Sequence, residues 1–359
     1  MLFRAFLSGA IAVSLFCQTP STPVARASGP SSGGAVEKTP EAIPAKPGES
    51  IRVQVNEVIV PVTVTDDKGR FVSDLEQKDF RIFDEGHEQK IEYFSRERSQ
   101  PVVVGFLIDM SNSSRMHWKD YKDAAIELVD TLITGDKKYS GYLLSFASDA
   151  EILVNTTHDP EAIAEKMRKL QPGGGAALYD AVWKACTSHD LVKGEPIEPR
   201  RVLIIVGDGH DTASTKTLAQ AVEIAQRNLV TIYCISTVSF GEVTDDEQNL
   251  VQLAEQTGGR VESPLQKVYD DISGYISTPM DAGNYVFEPG TGGYAMDLSN
   301  GMYRAIEHIA GEVTTQYILR YVPDVPPTPK LKEYRAIRVD VDLANVKVRA
   351  RRGYYPFNP

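Results

Sequence analysis

Two strongly apolar runs in this 359-residue chain each end in an acidic turn, and they constrain its architecture more than any other feature. The first, Val102 to Ile108 (VVVGFLI), runs into Asp109, Met110, Ser111, Asn112 and Ser113. The second, Val202 to Val206 (VLIIV), runs through Gly207 into Asp208, Gly209, His210 and Asp211. Runs this uniform suit strands buried on both faces of a parallel sheet. Loops at the carboxyl ends of such strands are where open α/β sheets place their ligands. Asp109, Ser111, Ser113 and Asp208 would bring two carboxylates and two hydroxyls to one sheet edge. That all-oxygen set suits Mg²⁺ or Mn²⁺.

From residue 102 the pattern alternates between strands and helices. Strands are expected at 102–108, 141–147, 151–155, 201–207 and 230–236. Helices are expected at 115–134, 159–170, 177–189, 214–229 and 245–257, with Pro160 well placed as a first helical residue. Such alternation gives βαβ units and a doubly wound, mostly parallel sheet. Gly258 and Gly259 read as a helix stop before a short last strand. Residues 301–314 form an amphipathic pattern through Met302, Ala305, Ile306, Ile309 and Val313.

The flanks follow a different period. Residues 51–97 alternate apolar and polar positions through Val53, Val55, Val58, Val60, Val62 and Val64, then Phe80, Ile82, Ile91 and Tyr93. Residues 317–321, 337–341 and 346–350 do the same. These flanks are expected to form one small antiparallel β-sandwich from both chain ends, 51–97 with 316–359. The α/β domain, 101–315, is then inserted between them. Residues 281–293, rich in Gly and aromatics, show no assignable pattern.

Taken together, Asp109-x-Ser111-x-Ser113 after a buried strand, Gly173 to Asp180 (GGGAALYD), and Gly207-Asp208-Gly209 resemble the metal-ion-dependent adhesion site of von Willebrand factor type A domains. The resemblance covers about residues 101–320. Val60 to Arg70 (VPVTVTDDKGR), Asp79 to Asp84 (DFRIFD) and Val348 to Tyr355 (VRARRGYY) are similar to the flanks of exported bacterial VWFA-related proteins. The resemblance implies a non-catalytic module whose cation accepts an Asp or Glu carboxylate from a protein partner. Asp109, Ser111 and Ser113 would be ligands, and Asp208 a ligand mostly through water. Gly174, Gly175, Ala176, His210 and Asp211 would lie at the rim or in the loops. One position departs from the pattern: Ala176 stands where the family has a Thr whose hydroxyl is a further ligand, and a methyl group cannot coordinate a hard cation.

Each of these residues also has an ordinary structural reading. Asp109 and Asp208 suit turns, and Ser111 and Ser113 suit caps of a helix beginning near Arg115. His210 and Asp211 read as solvated, and Tyr179 and Asp180 as anchors of a helix start. An exported scaffold with a degenerate metal site is therefore an alternative. A haloacid-dehalogenase-like phosphatase would need a second carboxylate where Ser111 stands. The glycines lack the Lys-Ser/Thr of a phosphate-binding loop.

The excess of 49 acidic over 38 basic residues, net −11, argues against nucleic acid and anionic membrane surfaces as partners. Residues 1–27 read as an export signal: Arg4, an apolar core from Phe6 to Phe16, and cleavage after Ala27. Cys17 offers a lipoprotein alternative, with Phe16 a poor residue before a lipidated cysteine. Residues 28–50 read as a flexible linker. The mature chain is expected to be periplasmic or extracellular, with no transmembrane segment, and with Cys186 and Cys234 as buried thiols.

Overall fold

The structure is a computed structural model and describes residues 57–96, 101–115, 118–192, 199–238, 245–264, 292–324 and 334–356. The expected export signal, Cys17, the linker, Val53, Val55 and residues 281–291 lie outside the described residues.

Strand β5 (Val102–Asp109) is buried at every position, as its apolar run requires. It lies inside a six-stranded sheet with β6 (Tyr139–Phe146), β7 (Ala150–Thr157), β8 (Arg200–Gly207), β9 (Thr231–Ser236) and β10 (Val261–Glu262). The spatial order is β10-β9-β8-β5-β6-β7. All pairings are parallel except β6 with the edge strand β7. From β5 the chain proceeds outward to β6 and β7, returns to β8, and proceeds the other way to β9 and β10. The switch point therefore falls between the carboxyl ends of β5 and β8.

Helices cover both faces. One core packs α1 (Trp118–Leu132), α2 (Pro160–Arg168) and α6 (Gly292–Thr315) against alternate residues such as Val104, Phe106 and Ile108. The other packs α3 (Leu178–Thr187), α4 (Leu218–Arg227) and α5 (Glu247–Thr257) against Val103, Leu107, Leu203 and Ile205. Asp159 caps α2 through the Glu161 N–H, and Thr217 and Gln220 form a capping box on α4. Gly258 (φ +88°) ends α5 in the left-handed conformation that glycine adopts without strain.

Two four-stranded antiparallel sheets form the second layer pair. One has the order β13 (Val346–Ala350), β1 (Val58–Asp66), β11 (Tyr317–Tyr321), β4 (Tyr93–Ser95). The other has β14 (Gly353–Tyr354), β12 (Arg335–Val341), β2 (Phe80–Asp84), β3 (His87–Gln89). Val58, Val60, Val62, Phe80, Ile82, Leu319 and Tyr321 fill the space between them. The two layer pairs meet at Gln316, whose amide donates to Thr63 Oγ1 (3.1 Å) and to Tyr233 Oη (2.9 Å).

Two helix starts differ from expectation. A 3₁₀ turn occupies Ser113–Arg115, and α1 begins only at Trp118. Helix α6 begins at Gly292 rather than 301. Gly292, Gly293 and Asn300 are weak helix formers and hide its first turns from a propensity reading. Cys186 and Cys234 are free and fully buried, as expected, and burial pushes the Cys186 thiol up to about 12. Among the described residues no helix is long and apolar enough to cross a membrane.

Candidate functional site at the switch point

Parallel pairing of β5 with β8, Ile108 beside Val206, sets Asp109 next to Gly207 and brings Asp208 to the same sheet edge. The approach needs a glycine, because a Cβ at 207 would lie 2.9 Å from the Asp109 Cβ. Asp109 is 2% exposed. Its Oδ1 accepts the Ser111 backbone N–H at 2.7 Å, closing the turn. Its Oδ2 is buried and has no hydrogen-bond partner among the described residues. An orphaned buried oxygen of this kind costs about 1–3 kcal/mol, more when charged.

The Ser111 and Ser113 hydroxyls lie 2.8 Å apart. The expectation that they cap a helix is corrected. With α1 starting at Trp118, they bond each other, and among the described residues neither accepts a helix N–H. Asp208 is half-buried, and its Oδ1 accepts the His210 N–H at 2.9 Å. Burial, and secondarily the Asp208 charge, raise the Asp109 carboxyl from its ordinary 3.8 to about 6, against the lowering effect of the Ser111 N–H.

The glycine loop is fastened on both sides. Gly173 N donates to Met110 O and Asn112 N to Gly174 O, tying it to the Asp109 loop. Gly175 N donates to Ser148 Oγ, and Gly174 has φ +109°. Ala176 N donates to Thr212 Oγ1 at 3.0 Å, while Thr212 N and Ala213 N both donate to Ala176 O. Ala176 is buried and offers only its methyl group.

Asp211 lies in the loop as expected, but it is half-buried and bonded rather than simply solvated. Its Oδ2 accepts the Tyr179 N–H (3.0 Å) at the start of α3 and the Ser214 hydroxyl (2.6 Å). Asp180 reciprocates by accepting the Thr215 and Lys216 N–H groups at 2.9 Å. The two carboxylates clamp the first turn of α3 to the 208–217 loop, which is the anchoring expected of Asp180. His210 is half-exposed, and its Nδ1 lies 2.8 Å from Asp246 Oδ2, before α5. That contact raises the imidazole's affinity for a proton. The sequence reading missed Ser148, Thr212, Ser214 and Asp246. The first three are small polar residues in loops, a composition common to any loop, so nothing in the sequence singled them out.

The donor set fits a hard divalent cation. It combines an unpartnered buried carboxylate oxygen, two adjoining neutral hydroxyls and a second carboxylate whose charge already strains the first. Among the described residues no three His, Cys, Asp or Glu side chains group to hold a metal, so any such set here rests on the two hydroxyls as well as the two carboxylates.

Residues 104–268 match the model of the von Willebrand factor type A domain. The chain carries a von Willebrand factor type A domain. Domains of this type typically mediate protein–protein binding, often through a metal. Several solved structures are similar at low identity. A von Willebrand factor type A protein from Catenulispora acidiphila is 14% identical, with TM-score 0.42, covering 83% of this chain and 62% of its own. An aerotolerance-related membrane protein from Bacteroides fragilis is 15% identical, with TM-score 0.37, covering 48% of this chain and 97% of its own. Proximal thread matrix protein 1 from mussel byssus, with zinc in its metal-ion-dependent adhesion site, is 18% identical, with TM-score 0.39, covering 50% of this chain and 46% of its own. Among curated proteins no match is found.

Proposed function

We propose that this chain is a non-catalytic, exported protein-binding module. Its von Willebrand factor type A domain holds Mg²⁺ or Mn²⁺ through Asp109, Ser111 and Ser113, with Asp208 acting mostly through water. When bound, the cation supplies an electrophilic position for an Asp or Glu carboxylate of a partner protein. The observation that carries the reading is Asp109 Oδ2, a buried carboxylate oxygen with no hydrogen-bond donor among the described residues, beside two adjoining hydroxyls. Neutral hydroxyl donors leave a cation short of charge compensation, which favours an added carboxylate in a partly desolvated interface. The hydrogen-bond lacing of the three loops holds the donors in place without a cation. Export rests on the pattern of residues 1–27.

A second reading, an exported scaffold with a degenerate site, is favoured by one observation: Ala176 brings no donor where the family has Thr. The discriminating experiment is binding of Glu-bearing fluorescent peptides to the purified chain, in Mg²⁺ or Mn²⁺ and again after chelation. The binding reading expects peptides captured with cation, released by chelator and lost in Asp109→Ala. The scaffold reading expects none captured under either condition. Turnover of a phosphoester that disappears in Asp109→Asn would overturn both.

A further inference from the structure

Away from the switch point, a cleft of about 700 Å³ opens between the edge of the six-stranded sheet, at α5 and β10, and strands β12 and β13 of the sandwich. Five arginines line it: Arg260, Arg338, Arg349, Arg351 and Arg352, against two glutamates, Glu247 and Glu255. In a chain of net charge −11 this edge is close to neutral, because Glu255, Glu262, Glu312 and Asp340 pair with four of the arginines and Glu247 also lines the cleft.

Four of the arginines have carboxylate partners. Arg260 pairs with Glu262 and Glu312, Arg349 with Glu312, Arg352 with Glu255 and Arg338 with Asp340. Their side chains stay between 25% and 61% exposed, so N–H donors remain for a ligand in the cleft. Arg351 differs. It is 3% exposed, its Nη2 donates to the Leu229 carbonyl, and its Nε has no partner. Among the described residues it has no carboxylate as a hydrogen-bond or ion-pair partner. Burial holds its guanidinium down to about 10. A buried, uncompensated guanidinium is costly, and an anion brought close to it offsets that cost. Its Nε is closed to solvent, so a ligand would feel the Arg351 charge while bonding to the more exposed arginines. The cleft is firmly built, because a Cβ at Gly258 would lie 2.6 Å from the Arg351 backbone nitrogen.

We infer that this cleft binds a ligand carrying two or more carboxylate or phosphate groups, at a site separate from Asp109. Planar guanidiniums suit such groups through paired N–H donors.

The test is calorimetric titration of the full chain with citrate and, separately, with inorganic pyrophosphate. The protein is first stripped of metal on a chelating resin, and ionic strength is matched with NaCl. Saturable binding with a Kd below about 1 mM is expected. In the double variant Arg338→Ala/Arg352→Ala, whose ion pairs are exposed, affinity should fall by about tenfold or more while the fold is kept. Arg351→Met should lose the rise in melting temperature caused by the anion. Without anion it should melt at the same temperature as the parent, or higher. Binding of citrate alone assigns carboxylates, and binding of pyrophosphate alone assigns phosphates. Binding of neither beyond the chloride control overturns the inference, as does unchanged affinity in the double variant. So does an Arg351→Met protein that melts lower and responds to no anion, the signature of an arginine that only welds the two layer pairs. None of these outcomes depends on the Asp109 site being functional.

Discussion

Two aspartates are buried at strand ends in the two halves of this molecule, and they are treated in opposite ways. Asp84, in the sandwich, is 0% exposed and fully engaged. Its Oδ1 accepts from Arg335 Nε at 2.9 Å, and its Oδ2 accepts from the Tyr321 and Tyr354 hydroxyls at 3.0 Å each. Asp109, in the α/β domain, is 2% exposed and keeps one oxygen without a donor. Burial alone therefore does not mark a functional acid. A satisfied carboxylate ties strands together, whereas Asp109 keeps an acceptor open, among the described residues, at the switch point.

The sharpest way to break this contrast is to remove each acid. Asp84→Ala leaves the largely buried Arg335 without its carboxylate and two buried phenols without an acceptor. A loss of about 3–5 kcal/mol in urea unfolding is expected. A loss under about 1 kcal/mol would mean that Asp84 is not the anchor described.

Asp109 should behave in the opposite sense. Its folded carboxyl titrates at about 6 and its ordinary value is 3.8, so the folded chain holds the extra proton between those values. Its contribution to stability is fully present below about 4 and disappears as pH rises through about 6, a change of about 3 kcal/mol in metal-free protein. Asp109→Asn should flatten that slope and leave the metal-free protein at pH 8 at least as stable as the parent. Chemical unfolding between pH 4 and 8 reads both. A parent curve rising over this window would reverse the assigned sign.

Smaller effects test how the donors are positioned. Gly207→Ala forces a methyl against the Asp109 Cβ and should cost about 1–3 kcal/mol in thermal unfolding, by overpacking. Asp211→Ala removes the acceptor at the start of α3 and should cost about 1 kcal/mol. It should do so without touching the residues around Asp84.

The sheet was legible because β5 and β8 are apolar at nearly every position, a pattern that only strands covered on both faces sustain. The sandwich was legible from its period-two alternation at Val58, Val60, Val62 and Val64. The acidic turn with Ser111 and Ser113 was legible because the family motif keeps its residues adjacent. What stayed hidden depends on partners distant in sequence. Asp211 reads as a surface acid until Tyr179 N, 32 positions away, is seen to donate to it. Arg351 reads as one of several C-terminal basic residues until its burial beside Leu229 is known. The Gly292 start of α6 stayed hidden because glycine, a weak helix former, opens a helix that backbone propensity alone does not call for.

The central claim is that the unpartnered oxygen of Asp109, with the Ser111 and Ser113 hydroxyls, holds a divalent cation despite Ala176. Calorimetric titration of the metal-stripped chain with Mg²⁺ and Mn²⁺, alongside Asp109→Ala and Ala176→Thr, tests it most directly. The account expects saturable binding by the parent, no binding by Asp109→Ala, and affinity raised about tenfold when Thr supplies one more neutral ligand. Silence from the parent, with binding appearing only in Ala176→Thr, would contradict it and make the site degenerate.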